Sequence, residues 1–325
     1  MSFSSKIRVG VARGGPSKEH EVSLKTGAHI LRNLPDKYIP ADIYIDKGGV
    51  WHFQGVASTP AKIFPKIDVL FNALHGEFGE DGRLQHLLDI FGVSYTGSRQ
   101  LACAFAMNKL HAKKILQASG VKSPYHKVIR KSEFGTKKAM DEILLAPLPA
   151  IVKPVSLGSS LGVSLVTKVD DFRVALKSAF ALSDAALIEE CISGREATCG
   201  LIEAFRGNEL YTLLPVEFSH EGETQFLDYD AKYGKKSRAI SPGRFSRLEK
   251  DAIQKATRVA HTLLGLRHYS RSDFIVSPNR GVYFLETNSL PGLYADAPYT
   301  ESLLTVGTPF PEFLHHVLQL ALAGK

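Results

Sequence analysis

The first hundred residues alternate between two hydrophobic periods. Ile7–Ala12, Ala41–Ile45 and Asp68–Leu74 read as short strands, whereas Ser23–Leu34 and Gly82–Phe91 carry the apolar spacing of amphipathic helices. Strands separated by helices predict a parallel sheet. Two glycine-containing turns, Gly14-Gly15-Pro16-Ser17 and His75-Gly76-Glu77-Phe78-Gly79-Glu80-Asp81-Gly82, follow the carboxyl ends of two of these strands, where open parallel sheets hold ligands. Past a boundary predicted near Gly97-Ser98, the chain reads as helix from Leu101 through Gln117, stops at Gly120 and resumes as strand over Tyr125–Ile129. Two β-rich runs then flank a Gly/Ser loop within residues 148–167. A helix over Asp170–Ser178, a strand over Ala185–Glu190 and a hairpin pairing Glu196–Ala204 with Glu209–Val216 follow. Residues 219–245 are poor in aliphatics and predict a long loop, which in a compact chain is usually functional or disordered. Glu249–Leu264 and Glu312–Leu322 read as the last helices.

Two segments carry candidate chemistry. The Gly158-Ser159-Ser160-Leu161-Gly162 loop offers backbone N–H groups that can approach a phosphate closely, two hydroxyls, and a cation from Lys153 just upstream. It is no Walker loop, and no dinucleotide glycine fingerprint follows a strand. The second segment is a hairpin of Arg271–Val276 and Gly281–Asn288 joined by Ser277-Pro278-Asn279-Arg280. Centred on Asn279-Arg280, it sets Asp273 opposite Glu286 and Arg271 opposite Asn288, all four on one face. Two facing carboxylates repel each other, and a hard divalent cation bridging them to phosphates removes the conflict. The alternative is a polar face on which Arg271 neutralises the acids. Pro291-Gly292, immediately after, could present the Gly292 N–H to an oxyanion.

Composition narrows the field. At roughly 150 residues per domain, 325 residues predict about two domains. The net charge of +7 is spread along the chain without a basic, aromatic-studded stripe, which argues against nucleic acid and is equally explained by a small polyanionic substrate. No run approaches the ~18 apolar residues of a membrane span. Cys103, Cys191 and Cys199 lack redox or metal spacing and predict reduced thiols in a cytoplasmic protein.

Taken together, Gly14 to Ser23, His75 to Gly82, Tyr95-Thr-Gly-Ser98, Met107-Asn-Lys109, Val152-Lys-Pro154 with Gly158-Ser-Ser160, Glu189 to Glu196, Asp228 to Tyr233 and Arg271 to Gly292 resemble the D-alanine–D-alanine ligase family of the ATP-grasp superfamily, over nearly the whole chain. The resemblance implies an α/β ATP-grasp fold: an amino-terminal parallel-sheet domain (1–98), then two α+β lobes (99–189 and 190–325) sandwiching ATP, with a lid near 219–245. It implies that Lys109, Lys153 and Lys232 hold the ATP phosphates beside Ser160, that Glu189, Cys191 and Ile192 read adenine, and that Glu196 binds ribose. Asp273, Glu286 and Asn288 would ligate two Mg²⁺ or Mn²⁺ ions. Glu19 and His75 would bind the first D-alanine, Ser159 and Tyr233 would close over it with Glu19, and Arg271 and Gly292 would face the oxyanion. A cytoplasmic homodimer serving peptidoglycan synthesis, without nucleic-acid or membrane partners, is implied as well.

One departure stands out. Where the family carries a Ser-Leu pair whose serine helps to bind the second substrate, this chain has Ala297-Pro298. Another ATP-grasp ligase joining D-alanine to a different acceptor therefore remains open, as does a nucleotide-binding protein without turnover.

Overall fold

The computed structural model describes residues 6–156, 162–220 and 237–324. Its first sheet contains β1 (Ile7–Gly14), β2 (Tyr38–Ile45), β3 (Trp51–Phe53), β4 (Val56–Ser58), β5 (Val69–Asn72) and β6 (Ser94–Tyr95), in the order β4-β3-β2-β1-β5-β6. The four strands β2, β1, β5 and β6 are parallel, as the alternation predicts, and the β3–β4 hairpin adds an antiparallel edge. Both faces are covered, so β5 is buried at every position. One face packs Ile43, Trp51, Leu84 and Leu88 together. On the other, Val9, Val11 and Phe71 share a core with Phe313, Leu314 and Val317 of the helix Phe310–Ala323, near the far end of the chain.

Two antiparallel sheets follow. The first is β7 (His126–Arg130), β10 (Ala185–Glu190), β8 (Ala150–Pro154) and β9 (Ser164–Val166), in that spatial order, with the helices Lys137–Leu144 and Phe172–Phe180 packed on it. The second contains β11 (Arg195–Phe205), β12 (Asn208–Thr212), β13 (Val216–His220), β14 (Ser237–Ile240), β15 (Tyr269–Ser277) and β16 (Gly281–Asn288). The helix Arg247–Leu263 covers it, started by a capping box in which Ser246 and Glu249 satisfy each other's backbone N–H groups.

Three expectations are corrected. The single helix over Leu101–Gln117 is two, Gln100–Met107 and Lys109–Gln117, because Asn108 is extended and its side chain caps the second by accepting from the His111 N–H. Glu209–Val216 is not one strand, since β12 stops at Thr212 and a new strand begins at Val216. That strand and β14 also shorten the 219–245 loop at its described ends, their residues paired from Glu217 with Ile240 to His220 with Ser237.

Candidate active site

The loops at the carboxyl ends of β1 and β5 meet through backbone and hydroxyl contacts. Ser23 Oγ donates to the Ala73 carbonyl (2.8 Å) and accepts from the Gly14 N–H, while Ser17 Oγ donates to the His75 carbonyl (2.6 Å) and accepts from the Glu19 N–H. Glu19 immediately precedes the helix His20–Asn33. Gly76 has φ +70°, and a Cβ there would lie 2.6 Å from Glu19 Oε2, so only glycine lets this carboxylate lie against the loop. Glu80 accepts from the Gly76 N–H (2.8 Å) and from the Leu290 N–H (3.3 Å), which ties the β5 loop to the segment after β16. Burial and then the Glu19 charge push the Glu80 carboxyl up to about 8. His75, with Nε2 3.0 Å from Thr26 Oγ1, is lowered to about 4 by burial and then by the Arg271 charge, so it is neutral near pH 7. Arg271 is thus felt from across the cleft, by residues of a different sheet.

On that opposite wall, β15 and β16 place Arg271 opposite Asn288 and Asp273 opposite Glu286. The expected pairing holds because two departures from a regular hairpin cancel. Near the turn, Ser277 pairs with Gly281 and Phe274 with Phe284, one residue out of the expected register, and a bulge between Asp273 and Phe274 restores it at the site. Arg271 grips Asp273 through Nε (3.0 Å) and Nη2 (2.9 Å). Asn288 Nδ2 and Thr198 Oγ1 also donate to the Asp273 carboxylate, and Lys109 Nζ lies 3.0 Å from Glu286 Oε2. Glu80, Lys109, Glu286 and Asn288 line one small cavity between the walls.

The lysines converge from two elements. The Asn108 break lets the Lys109 N–H donate to the Val155 carbonyl at the end of β8 (3.0 Å), which fixes the start of the helix Lys109–Gln117 beside that strand. Lys153 on β8 and Glu189 on β10 meet at 2.9 Å, and Lys113 approaches the other Glu189 oxygen at 3.1 Å. Burial would raise the Glu189 pKa, but the two ammonium groups outweigh it and hold it below the ordinary carboxylate value. Burial wins at Lys113, which is lowered to about 8. Glu196 is buried on β11 opposite Ile275. The Cys191 N–H donates to the Pro149 carbonyl (3.0 Å), and Ile192 packs against Ile275 and Tyr283. Gly292 lies against the Tyr294 ring, and Ala297 is buried just before the helix Pro298–Thr305. Ser159, Ser160, Lys232 and Tyr233 lie outside the described residues.

Comparison with known proteins decides the family. Residues 8–64 and 54–98 match the profile described as D-ala D-ala ligase N-terminus, and residues 115–319 match D-ala D-ala ligase C-terminus. The chain belongs to the D-alanine–D-alanine ligase family. It is 35% identical to the D-alanine–D-alanine ligase of Pelotomaculum thermopropionicum, with 97% of each chain covered, and 36% identical to that of Geotalea uraniireducens, over 97% of this chain and 95% of that one. Among solved structures it superposes on the D-alanine–D-alanine ligase of Bacillus anthracis (TM-score 0.80, 28% identity, 98% of each chain). It also superposes on the VanG D-Ala:D-Ser ligase of Enterococcus faecalis (TM-score 0.84, 25% identity, 98% of this chain and all of that one). Its parallel sheet followed by two antiparallel sheets is the ATP-grasp architecture of this ligase family.

Within that architecture, three residues of the cleft were not assigned from sequence. Lys113 sits four positions after Lys109 on the same helix, a spacing that marks a shared face. Glu80 lies inside the His75–Gly82 turn, where nothing local marks it as buried against Glu19. Thr198 is two residues after Glu196 on β11, the strand paired with β15, and its partnership with Asp273 appears only once those strands are joined.

Proposed function

We propose that the chain joins two D-alanine molecules into D-alanyl-D-alanine with conversion of ATP to ADP and phosphate, supplying peptidoglycan synthesis, and that it does so with the residues converging on this cleft. The observation that carries the reading is the confrontation of Glu19 and His75 on one wall with Arg271, Asp273, Glu286 and Asn288 on the other. It occurs in a chain about one-third identical, end to end, to ligases of that name. Segments 1–98, 99–189 and 190–325 act as the amino-acid lobe and the two nucleotide lobes, in a cytoplasmic homodimer.

The donor set fits divalent metal. Asp273 and Glu286 face each other, and Asn288 adds an amide oxygen, all hard ligands of the kind Mg²⁺ or Mn²⁺ takes. Asp273 pairs with Arg271, and Glu286 with Lys109. Two bound cations would supply charge neutralisation between the ATP phosphates and the amino-acid carboxylate. Asp273, Glu286 and Asn288 would hold them, while Arg271 and Lys109 are the cations placed to meet the anionic groups of the substrates.

A carboxylate oxygen of the first D-alanine attacks the γ-phosphorus in line, and the bond to ADP breaks, giving an acylphosphate. The amine of the second D-alanine then attacks the acyl carbon, the bond to phosphate breaks, and the nitrogen gives up its proton to the departing phosphate. The protein's contribution is position and charge. Glu19 holds the first ammonium group with His75, neutral, beside it, and Ser159 and Tyr233 close that side. Lys109, Lys153, Ser160 and Lys232 hold phosphates. Glu189, Cys191 and Ile192 meet adenine, Cys191 through its carbonyl because its N–H is bonded to Pro149, and Glu196 meets ribose. Arg271 and the Gly292 N–H stabilise the developing oxyanion. The 219–245 segment excludes water, which would hydrolyse the acylphosphate.

Incubation with ATP, Mg²⁺ and a panel of D-alanine, D-serine, D-lactate and L-amino acids, read by phosphate release and product mass, tests the reading. D-alanyl-D-alanine as the main product supports it. Nucleotide turnover with L- but not D-amino acids overturns it, and a different preferred acceptor would point to Ala297.

A further inference from the structure

The parallel strands of the first sheet present the Glu19 and His75 loops at their carboxyl ends. The amino end of β6, the edge strand beside β5, opens onto a separate cleft of about 280 Å³. It is lined chiefly by Asp89, Gly92, Ser94, Tyr95, Arg99 and Arg267. Arg267 is held rigidly: its guanidinium lies 4.9 Å from the Tyr95 ring centroid, Nε donates to the Gly97 carbonyl (2.8 Å), and Nη2 reaches the Tyr95 carbonyl (3.4 Å). Burial lowers its pKa below the ordinary arginine value, and the nearby Arg99 charge acts in the same direction. Among the described residues neither arginine forms an ion pair, and the one acid on the lining, Asp89, accepts from the Tyr95 hydroxyl (3.0 Å). Ser94 is 8% exposed, and its buried Oγ has no hydrogen-bond partner. An unpaired buried hydroxyl in a cleft lined by two guanidinium groups that form no ion pair, with Asp89 and Glu203 only acting on Arg267 from a distance, is an arrangement that lacks its acceptor.

We propose that this cleft is a second ligand site, binding a phosphoryl dianion, either free phosphate or the phosphate of a small metabolite. A carboxylate is filled by one guanidinium fork, whereas a tetrahedral phosphoryl group takes donors from two arginines and a hydroxyl, and the lining keeps a net positive charge with Asp89 counted. The cleft volume limits the ligand to a few heavy atoms beyond the phosphoryl group. Arg267 also contacts Gly97, and its own N–H donates to Ser98 Oγ, so an occupant would bear on the segment that leaves the first sheet.

The test is calorimetric titration of the full chain, with ADP and Mg²⁺ saturating, by inorganic phosphate and separately by glycerol 3-phosphate. Arg99→Ala and Ser94→Ala should each weaken binding, Arg99→Ala by about tenfold, the value of one charge-assisted contact. Arg271→Ala should leave it unchanged. Arg99 is exposed and its side chain forms no hydrogen bond among the described residues, while its backbone carbonyl, which accepts from the Cys103 N–H, is kept in alanine, so the substitution leaves the fold intact even where Arg267→Gln does not. Tighter binding of glycerol 3-phosphate identifies a metabolite, and equal binding identifies free phosphate. Absence of binding at millimolar concentration, or binding lost in Arg271→Ala and kept in Arg99→Ala, overturns the proposal.

Discussion

Lys113→Met isolates the energetics of the buried charges beside the cleft. Lys113 and Lys153 flank a single Glu189, so three charges lie out of water with one positive charge in excess. The Lys113 side chain is 0% exposed, and its pKa falls from 10.5 to about 8. That fall corresponds to about 3 kcal/mol by which the fold disfavours the ammonium at pH 7. Methionine fills a similar unbranched volume and leaves Glu189 paired one-to-one with Lys153. The variant should therefore be more stable than the parent by about 1–3 kcal/mol at pH 7, the lower figure allowing for imperfect packing. The folded pKa lies below the unfolded one, so between pH 8 and 10.5 the unfolded chain holds the extra proton, and the contribution of Lys113 to stability rises with pH across that window. The advantage of Lys113→Met should accordingly shrink between pH 7 and pH 10. Glu189→Gln should do the reverse, destabilising the chain by about 3–5 kcal/mol because two ammonium groups are left without a counter-charge. Guanidinium denaturation followed by circular dichroism at the two pH values measures all three quantities. A Lys113→Met variant less stable than the parent at pH 7, or an advantage that does not shrink at high pH, would refute the reasoning.

Glu286→Gln should abolish phosphate release while leaving the chain folded, because glutamine keeps the shape of this partly exposed side chain and can still accept from Lys109; parent-like turnover would contradict the metal assignment. Arg271→Ala should depress kcat far more than ATP affinity, as a contact strengthened in the transition state does, and the His75 pKa, followed by NMR, should rise once the Arg271 charge is gone. Neutral His75 gives a third test: its folded pKa of about 4 lies below the ordinary 6.5, so acidification through that window should destabilise the chain, and His75→Gln should flatten the loss in pH-dependent melting curves.

Much of the cleft was legible because its chemistry is written in strand period and turn residues. Alternation put Arg271, Asp273, Glu286 and Asn288 on one face, and glycine turns after β1 and β5 marked the facing loops. What escaped was set by geometry without a local signature. The bulge at Asp273 and the shifted turn cancel each other, so the pairing came out as expected through two unseen departures. Asn108 interrupts a continuous helical pattern through its own capping bond and through pairing with Ser156, a residue far along the chain. Glu80 and Lys113 look like surface charges in a sequence, and only packing against Glu19 and Glu189 gives them their perturbed ionisation.

The core shared by Val9, Val11 and Phe71 with Phe313, Leu314 and Val317 bears on how the protein is made. During synthesis the first sheet emerges before both antiparallel sheets, yet the residues that cover one of its faces are translated only after them. That face stays wet until the helix Phe310–Ala323 has left the ribosome, so the Glu19 and His75 loops should settle only after the two antiparallel sheets exist. Pulse proteolysis of stalled nascent chains, with and without that helix, would reveal the delay as late-acquired protection of the first hundred residues.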